Sequence, residues 1–491
     1  MGVYLGIDLG TTGLKVLLVR EDGTLRATGY RQYPIVTPAA GYAEQDPAAW
    51  WHALQGALAD ACQADPAASA DIKAIGLSGQ MHGTVLLNSN GELLCPAILW
   101  CDQRANPQVE KLRRDIGPQL LGQWVQNPIA AGFQAATLMW IQENQPERYR
   151  QIAHVLLPKD YIRFLLTGQY ATEPTDACST LLFNCAQRTW SADMLSHLHM
   201  DPSLLPEVLP SPMTIHGGLC RSAAQALDLQ PGIPVVCGGG DQPMQAIGNG
   251  ILKPGDASIT LGTGGQIFVP ITRPAYDPAL RVHTFCHAQE NTWYSMGAIL
   301  NCCLAQNWLF DKVLHLEDPA AAHAEAASAP PGSDGLCFLP YLTGERTPHM
   351  DATLTASFHG LTLRHSRAHI IRATIEGITF ALREALDCIR PQAPDLQRLV
   401  LSGGGARSAL WKQIMADVME QPIYATCMTE EAGLGAAICA MVGVGAYATL
   451  QDACQQIVRY SDDVVYPQAA HIQQYREGYE RFKALGQNVC R

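Results

Sequence analysis

The chain has no run of basic residues, and its 33 Lys and Arg against 45 Asp and Glu leave a net charge of −12. A protein without a positive field does not take nucleic acid as its main partner. Any polyphosphate it binds must be held by local devices such as amide turns and a metal ion. No apolar run reaches the roughly 18 residues of a membrane span, and no basic segment followed by an apolar one opens the chain. The expectation is therefore a cytoplasmic protein with no membrane partner. The 16 cysteines include no C-x-x-C pair, so free buried thiols are expected ahead of disulfides or a zinc site. GxxxxGK[ST] is absent, which removes the P-loop class. At 491 residues, 47% hydrophobic and 16% charged, the chain is too long for one core, and two large domains are expected.

What is present is organised around Val3 to Val19. Val3–Ile7 and Leu14–Val19 are apolar, partly β-branched runs, as in strands covered on both faces. Gly10, Thr11, Thr12 and Gly13 form the turn between them, and such a turn points amide groups at an anion. Asp8 would repel that anion unless a cation stood between them, so the stretch points to a metal-bound polyphosphate; an ordinary buried hairpin is the alternative. Leu261, Gly262, Thr263 and Gly264 repeat the pattern half a chain later, again between strand-like runs. Two copies imply a duplicated architecture, divided within Asn249–Gly255.

Other segments add chemistry. Gly79-Gln80-Met81-His82-Gly83 is a polar, glycine-rich turn between strands, suited to a small polar ligand. Asp102 and Arg104 follow a buried strand and offer either a salt bridge or polyol recognition. Gly238-Gly-Gly-Asp241 ends a short strand, where three glycines imply close approach of a ligand or another segment. Ser402 to Trp411 reads strand, glycine turn, helix, a place for a phosphate or a flat ring at Gly404, Gly405 and Ala406. That loop lacks GxGxxG spacing, so a dinucleotide fold is not favoured. His283, Cys286 and His287 alternate along a strand without a second ligand cluster and read as structural. Residues 105–200 read as largely helical. Gly433 to Met441 reads as a small-residue helix that packs closely on a neighbour. Glu345 to His349 forms a rigid polar loop, either a lid or an interdomain contact.

Together the two Gly-Thr hairpins, the Asp after a glycine run and the third glycine loop resemble the actin-like ATPase superfamily. Within it the chain resembles the FGGY carbohydrate kinases over essentially its whole length. The motifs carrying this are Asp8 to Gly13, Gly79 to Gly83, Leu156-Leu-Pro-Lys-Asp160, Gly238 to Asp241, Gly344-Glu-Arg-Thr-Pro-His349 and Gly403 to Arg407. The resemblance implies an α/β fold of two actin-like (ribonuclease H-like) domains with a deep cleft between them. The domains would be 1–248, binding sugar and holding the catalytic base, and 249–491, binding nucleotide. The last helix, about Ile472 to Leu485, would pack back on the first domain.

By the same resemblance Asp241 is the general base, Asp8 the second active-site carboxylate, and Met81 and His82 bind sugar, with Asp102 and Asp241 beside them. The hairpins at Gly10–Gly13 and Gly262–Gly264 take phosphates, and Gly404, Gly405 and Ala406 lie on the adenosine side. The implied substrates are ATP with Mg²⁺, held at Asp8 through water, and a 2-ketopentose such as D-xylulose; a homodimer is implied as well. A kinase for ribulose or another polyol would use the same parts, and an actin-like ATPase without a sugar is a further alternative. Three positions depart from the family pattern: Gln242-Pro243 where Asn usually follows the Asp, Ala136-Thr137 where Pro-Lys is frequent, and Gly264 where Ser is common.

Overall fold

The computed structural model describes residues 2–316 and 318–489. An antiparallel meander opens the chain, with β1 (Val3–Leu9), β2 (Gly13–Arg20) and β3 (Leu25–Gln32). Helix α1 (Pro47–Ala64) starts at Asp46, whose carboxylate accepts from the Ala48 amide. Strand β4 (Ile72–Gly79) then returns parallel to β1. Farther along come α2 (Pro158–Thr167), β5 (Ile215–Gly218), β6 (Pro234–Val236), the two-residue β7 (Gly239–Gly240) and α3 (Asp241–Gly248). The strands lie in the order β5-β6-β4-β1-β2-β3, with β7 also paired to β4.

The second half holds β8 (Asp256–Leu261), β9 (Gly265–Ile271), β10 (His283–Cys286), β11 (Trp293–Ile299), α4 (Arg367–Ile389), β12 (Arg398–Ser402), α5 (Ala409–Met419) and β13 (Ile423–Tyr424). It closes with α6 (Glu431–Gly443) and α7 (Ala469–Val489). Its sheet runs β10-β11-β9-β8-β12-β13. In each half a three-stranded antiparallel meander carries two parallel strands on the far side of its first strand. The path β3-β2-β1-β4-β6 thus matches β11-β9-β8-β12-β13, and the duplication is topological as well as sequential.

The apolar runs of β1 and β2 are explained by what covers them. Leu5, Ile7, Val16 and Leu18 face a core shared with Trp50, Leu54 and Leu58 of α1. Tyr4, Leu17 and Val19, one residue out of phase, face Leu434, Ala437 and Ile438 of α6. Period-two alternation therefore divides one strand between two helical layers.

Two details differ from the sequence expectation. Helix α7 does not return to the first domain. Its Tyr475, Tyr479 and Phe482 enter the core of the second half, and Tyr475 and Tyr479 donate to Glu376 and Asp387 of α4 at 2.9 and 2.8 Å. The element that crosses is α6, which lies beyond the Asn249–Gly255 division yet packs on the first sheet. Its small residues allow backbone-to-backbone approach, as the Gly433–Met441 pattern implies. A Cβ on Gly76 of β4 would sit 1.9 Å from the Ala436 carbonyl oxygen. Residues 105–200 hold three main helical segments up to Thr167, interrupted by a strand at His154–Leu156; beyond Thr167, short strands alternate with single-turn helices and the helix Ala192–His197.

Replacing Gly76 by Ala should force α6 off the sheet and destabilise the protein by about 3 kcal/mol, at the upper end of overpacking costs. Urea unfolding checks this, and an unchanged midpoint would contradict the packing described here.

Candidate active site

β4 stands between two carboxylates. Asp8, near the end of β1, is opposite Ser78, and Gly239 of β7 is opposite Ser78 from the other side, so Asp241 starts α3 just past the same strand end. Ser78 Oγ donates to Asp8 Oδ1 at 2.8 Å. Each carboxylate keeps only part of its surface open to the cleft. Burial pushes the Asp241 carboxyl up to about 7, with the Asp8 charge adding to the effect and hydrogen bonds from Gln242 opposing it. Burial raises Asp8 too, against the Ser78 hydrogen bond and the nearby Lys15.

The three glycines before Asp241 answer to neighbouring chain. A Cβ on Gly238, Gly239 or Gly240 would lie 2.3 Å from Leu77 O, 2.6 Å from Thr175 Oγ1 and 2.7 Å from Met81 Cγ respectively. Beneath them lies a buried polar floor that sequence reading left without a role. Glu173 accepts from Thr175 N, Thr175 Oγ1 and Asp176 N at 2.7–2.9 Å, and Thr175 Oγ1 accepts from Gly240 N at 3.3 Å. Lys159 pairs with Asp160 and lies 3.7 Å from Asp176. Burial disfavours the Lys159 charge, but Asp160, Asp176 and Glu173 together hold it above the ordinary lysine range.

His82 is fixed by the same region. Its amide donates to Ser179 Oγ at 3.1 Å, and its Nδ1 is 2.8 Å from Ser179 O, which makes Nδ1 the protonated nitrogen. Burial lowers its pKa to about 4, so the ring is neutral and Nε2 is an acceptor. Phe133 packs on it with ring centroids 4.0 Å apart, and His283 stacks on Phe133 at 5.7 Å. A cavity of about 740 Å³ opens beside this cluster between the halves, lined by Trp100, Gln103, His283, Glu345 and Arg346 among others.

Each Gly-Thr hairpin closes with an amide-to-carbonyl bond, Gly10 N donating to Gly13 O at 3.0 Å and Gly262 N to Gly264 O at 3.1 Å, so the second turn is one residue tighter. Behind Gly403–Ala406, α5 is capped by its own Ser408, whose Oγ accepts from Trp411 N at 3.2 Å. The loop ahead of it is open, and a Cβ on Gly404 would meet nothing within 4 Å. Catalytic and hairpin segments are linked directly, since Thr260 of β8 donates to Gln245 of α3 at 3.0 Å.

A duplicated sheet with paired glycine hairpins, and one acidic strand end beside a neutral histidine, is matched by comparison with known proteins. The profile for the FGGY family of carbohydrate kinases, N-terminal domain, matches residues 3–248, and the profile for its C-terminal domain matches 257–444. The chain belongs to this family. It is 35% identical to the xylulose kinase of Escherichia coli over 491 residues, covering 99% of each chain, and 33% identical to that of Bacillus subtilis over 485 residues, covering 99% of this chain and 97% of that one. The ligand-bound xylulose kinase of Lactobacillus acidophilus superposes with a TM-score of 0.95 at 26% identity, covering 100% of this chain and 98% of that one. The protein is a two-domain α/β sugar kinase that phosphorylates its acceptor from ATP. The alternative of an actin-like ATPase with no sugar is thereby set aside. Among the described residues no helix is long and apolar enough to cross a membrane.

One expected sugar contact of this FGGY kinase needs correction. Asp102 is 1% exposed, and both its oxygens are engaged. Oδ2 accepts from Ala43 N at 2.6 Å, and Arg104 reaches both oxygens at 2.8–3.0 Å before bonding Glu44 at 2.6 Å. The Arg104 guanidinium lies 3.8 Å from the Tyr42 ring centroid. Asp102 and Arg104 thus tie down the 41–45 loop, which is the salt-bridge alternative.

That loop supplies a residue that sequence reading missed. Gln45 donates to Thr11 O at 2.6 Å and accepts from Gln80 and Trp50 at 3.1 and 3.0 Å. Thr11 Oγ1 donates to Gln80 at 3.2 Å and accepts from Trp100 Nε1 at 2.9 Å. The first hairpin is therefore held through side-chain amides, whose partners no local motif announces. The Glu345–His349 loop is an interdomain contact, with Arg346 lying 5.9 Å from the Trp100 ring.

Asp102→Ala should cost about 3 kcal/mol, because it leaves the buried Arg104 with Glu44 alone as a carboxylate partner and the Ala43 amide without its acceptor. At temperatures where the variant is folded, its KM for sugar should stay within about threefold of wild type, which is less than the roughly 1.5–3 kcal/mol typical of a lost charged hydrogen bond. A large KM effect without loss of stability would restore Asp102 to the sugar site.

Proposed function

We propose that this kinase transfers the γ-phosphoryl group of ATP to the terminal hydroxyl of a 2-ketopentose, D-xylulose, giving D-xylulose 5-phosphate. The observation that carries the reading is the pair Asp8 and Asp241 at adjacent strand ends, beside neutral His82 and under the first Gly-Thr hairpin. The names of the relatives with 33–35% identity point to the same acceptor.

In this reading the sugar lies against Met81 and His82, whose Nε2 accepts from a sugar hydroxyl. Asp241 takes the proton of the attacking hydroxyl. A base whose pKa lies near 7 combines a useful deprotonated fraction with real basicity. ATP sits against Gly10–Gly13 and Gly262–Gly264, with the adenine ring over Gly404, Gly405 and Ala406. The donors beside the phosphates are hard carboxylate oxygens with raised pKa values, which suit Mg²⁺. Asp8 would hold that ion through its water shell, and the ion would neutralise phosphate charge. The protein's own contribution is positioning and electrostatics, which phosphoryl transfer chiefly requires. The domain division at residue 249, a cytoplasmic location and a homodimer belong to the same proposal.

The pH dependence follows from the sign of the Asp241 shift. The base acts only when ionised, so kcat/KM should rise through about pH 7 with one-proton dependence and level off above it. His82, neutral above about pH 4, adds no second limb between pH 6 and 8.

Asp241→Asn should lower turnover by roughly 10²–10⁴. It should not lower stability at pH 8. A carboxyl whose folded pKa lies above its unfolded value destabilises the fold as pH rises between the two, and Asn has no charge to lose. Coupled ADP-release assays over a panel of sugars, with thermal melts at pH 5 and 8, check these outcomes. Near-wild-type turnover in the variant would rule out Asp241 as the base, and preference for another sugar would rule out xylulose.

A further inference from the structure

Two cysteines seven residues apart and a third about a hundred residues later converge behind the sugar site. The Sγ atoms of Cys178, Cys185 and Cys286 all lie within 4.8 Å of one another, and all three residues are fully buried. Cys178 immediately precedes Ser179, the residue that holds His82. Cys178 and Cys185 come from the first domain, and Cys286 ends β10 of the second, so the cluster straddles the two halves. The segment carrying Cys185 is docked on that strand edge: Trp293 Nε1 donates to Cys185 O at 2.7 Å, and Asn127 Nδ2 donates to Thr284 O at 2.7 Å.

The surroundings are those of sulfur ligands as well as of packed thiols. Cys178 Sγ accepts from Cys286 N at 3.3 Å, and Cys185 Sγ accepts from Asn127 Nδ2 at 3.6 Å. Such N–H donors stabilise thiolate charge around a bound metal. Arg188 adds a positive charge near Cys185 and Cys286, and its Nε is buried without a hydrogen-bond partner. In the metal-free state the thiols also have carbonyl acceptors, Thr175 O for Cys178 and Thr284 O for Cys185, each at 3.3 Å.

We propose that Cys178, Cys185 and Cys286 form a trigonal site for a soft, thiophilic d¹⁰ cation, best matched by Cu(I), which bridges the two domains of the kinase. Metal–sulfur bonds of about 2.3 Å need only a modest contraction of the sulfur triangle. Among the described residues the cluster includes no histidine or carboxylate as a fourth donor. Structural zinc almost always takes four ligands, whereas thiolate sets select Cu(I). Ligation replaces sulfur-bound protons by one Cu(I), the protons pass to the buffer, and no atom changes oxidation state.

The test is anaerobic titration of the reduced, metal-free kinase with Cu(I) in competition with a chromophoric Cu(I) chelator. One equivalent per chain should be retained, with sulfur-to-copper charge-transfer absorbance in the ultraviolet. Cys286→Ser and Cys178→Ser should each lose that equivalent, while Cys427→Ser, at an exposed thiol, should keep it. X-ray absorption on the loaded wild-type kinase should show three sulfurs around copper. This last measurement needs no variant and holds even where a serine variant fails to fold. Retention that survives Cys286→Ser and Cys178→Ser, retention lost in Cys427→Ser, no retention by the wild type, or copper bound by two sulfurs would each overturn the proposal.

Discussion

Two carboxylates share one desolvated strand end, and much of the structure serves that arrangement. Strand β4 sets Asp8 and Asp241 on either side of Ser78, close enough for the Asp8 charge to raise the Asp241 carboxyl. Holding them there requires β7 to run against β4 and Thr175 with no side chains of its own, hence Gly238–Gly240. It also requires a floor that does not give way. The floor is made of ionisable groups, Lys159 with Asp160, Glu173 and Asp176, all buried. Burial raises Glu173 to about 7, so the site rests on a partly neutralised charge network in place of an apolar core.

The duplication shows how chemistry was confined to one half. By strand register Asp8 pairs with Ser78, and the equivalent pair in the second sheet is Thr260 with Ser402, whose hydroxyls lie 3.2 Å apart. Both halves keep the Leu-Gly-Thr hairpin, but only the first keeps an acid before it. The second therefore presents hydroxyls and amides where the first presents a carboxylate. Thr260 also bonds Gln245, so the acid-bearing helix and the hydroxyl-bearing strand meet through one contact.

The hairpins, the glycine-run Asp and the small-residue helix were legible because each is a local pattern: a turn needing special backbone, or a spacing of small side chains. What remained hidden depends on partners distant in sequence. Asp102 next to Arg104 reads equally as ion pair or sugar ligand, and only the Ala43 amide and the Tyr42 ring decide. The apolar stripe of the last helix says that it packs but not on which domain. Gln45 looks like an ordinary residue before the Asp46 cap, yet it holds the first Gly-Thr hairpin. Cys178, Cys185 and Cys286 share no spacing motif, because three separate segments bring them together. The 3.6- and 2-residue periods report which face is buried; they carry no information on what buries it.

The position of Asp241 at the start of a helix completes the electrostatic argument. Burial and Asp8 both push its pKa up, and unopposed they would keep it protonated at neutral pH, useless as a base. The α3 terminus acts the other way, since the Gln242 backbone and side chain donate to the carboxylate and the helix N-terminus favours negative charge. The balance falls near 7. Gln242, one of the departures from the family pattern, therefore acts directly on the Asp241 carboxyl. The opposite face of α3 is locked against α6, where a Cβ on Gly435 would lie 1.9 Å from Met244 O. A carboxylate on a freely moving turn could relax toward solvent and lose its raised pKa. Clamped on a short helix between two domains, Asp241 keeps it, so the close packing of α6 on the first sheet sets the electrostatics of that carboxyl as well as the stability of the fold.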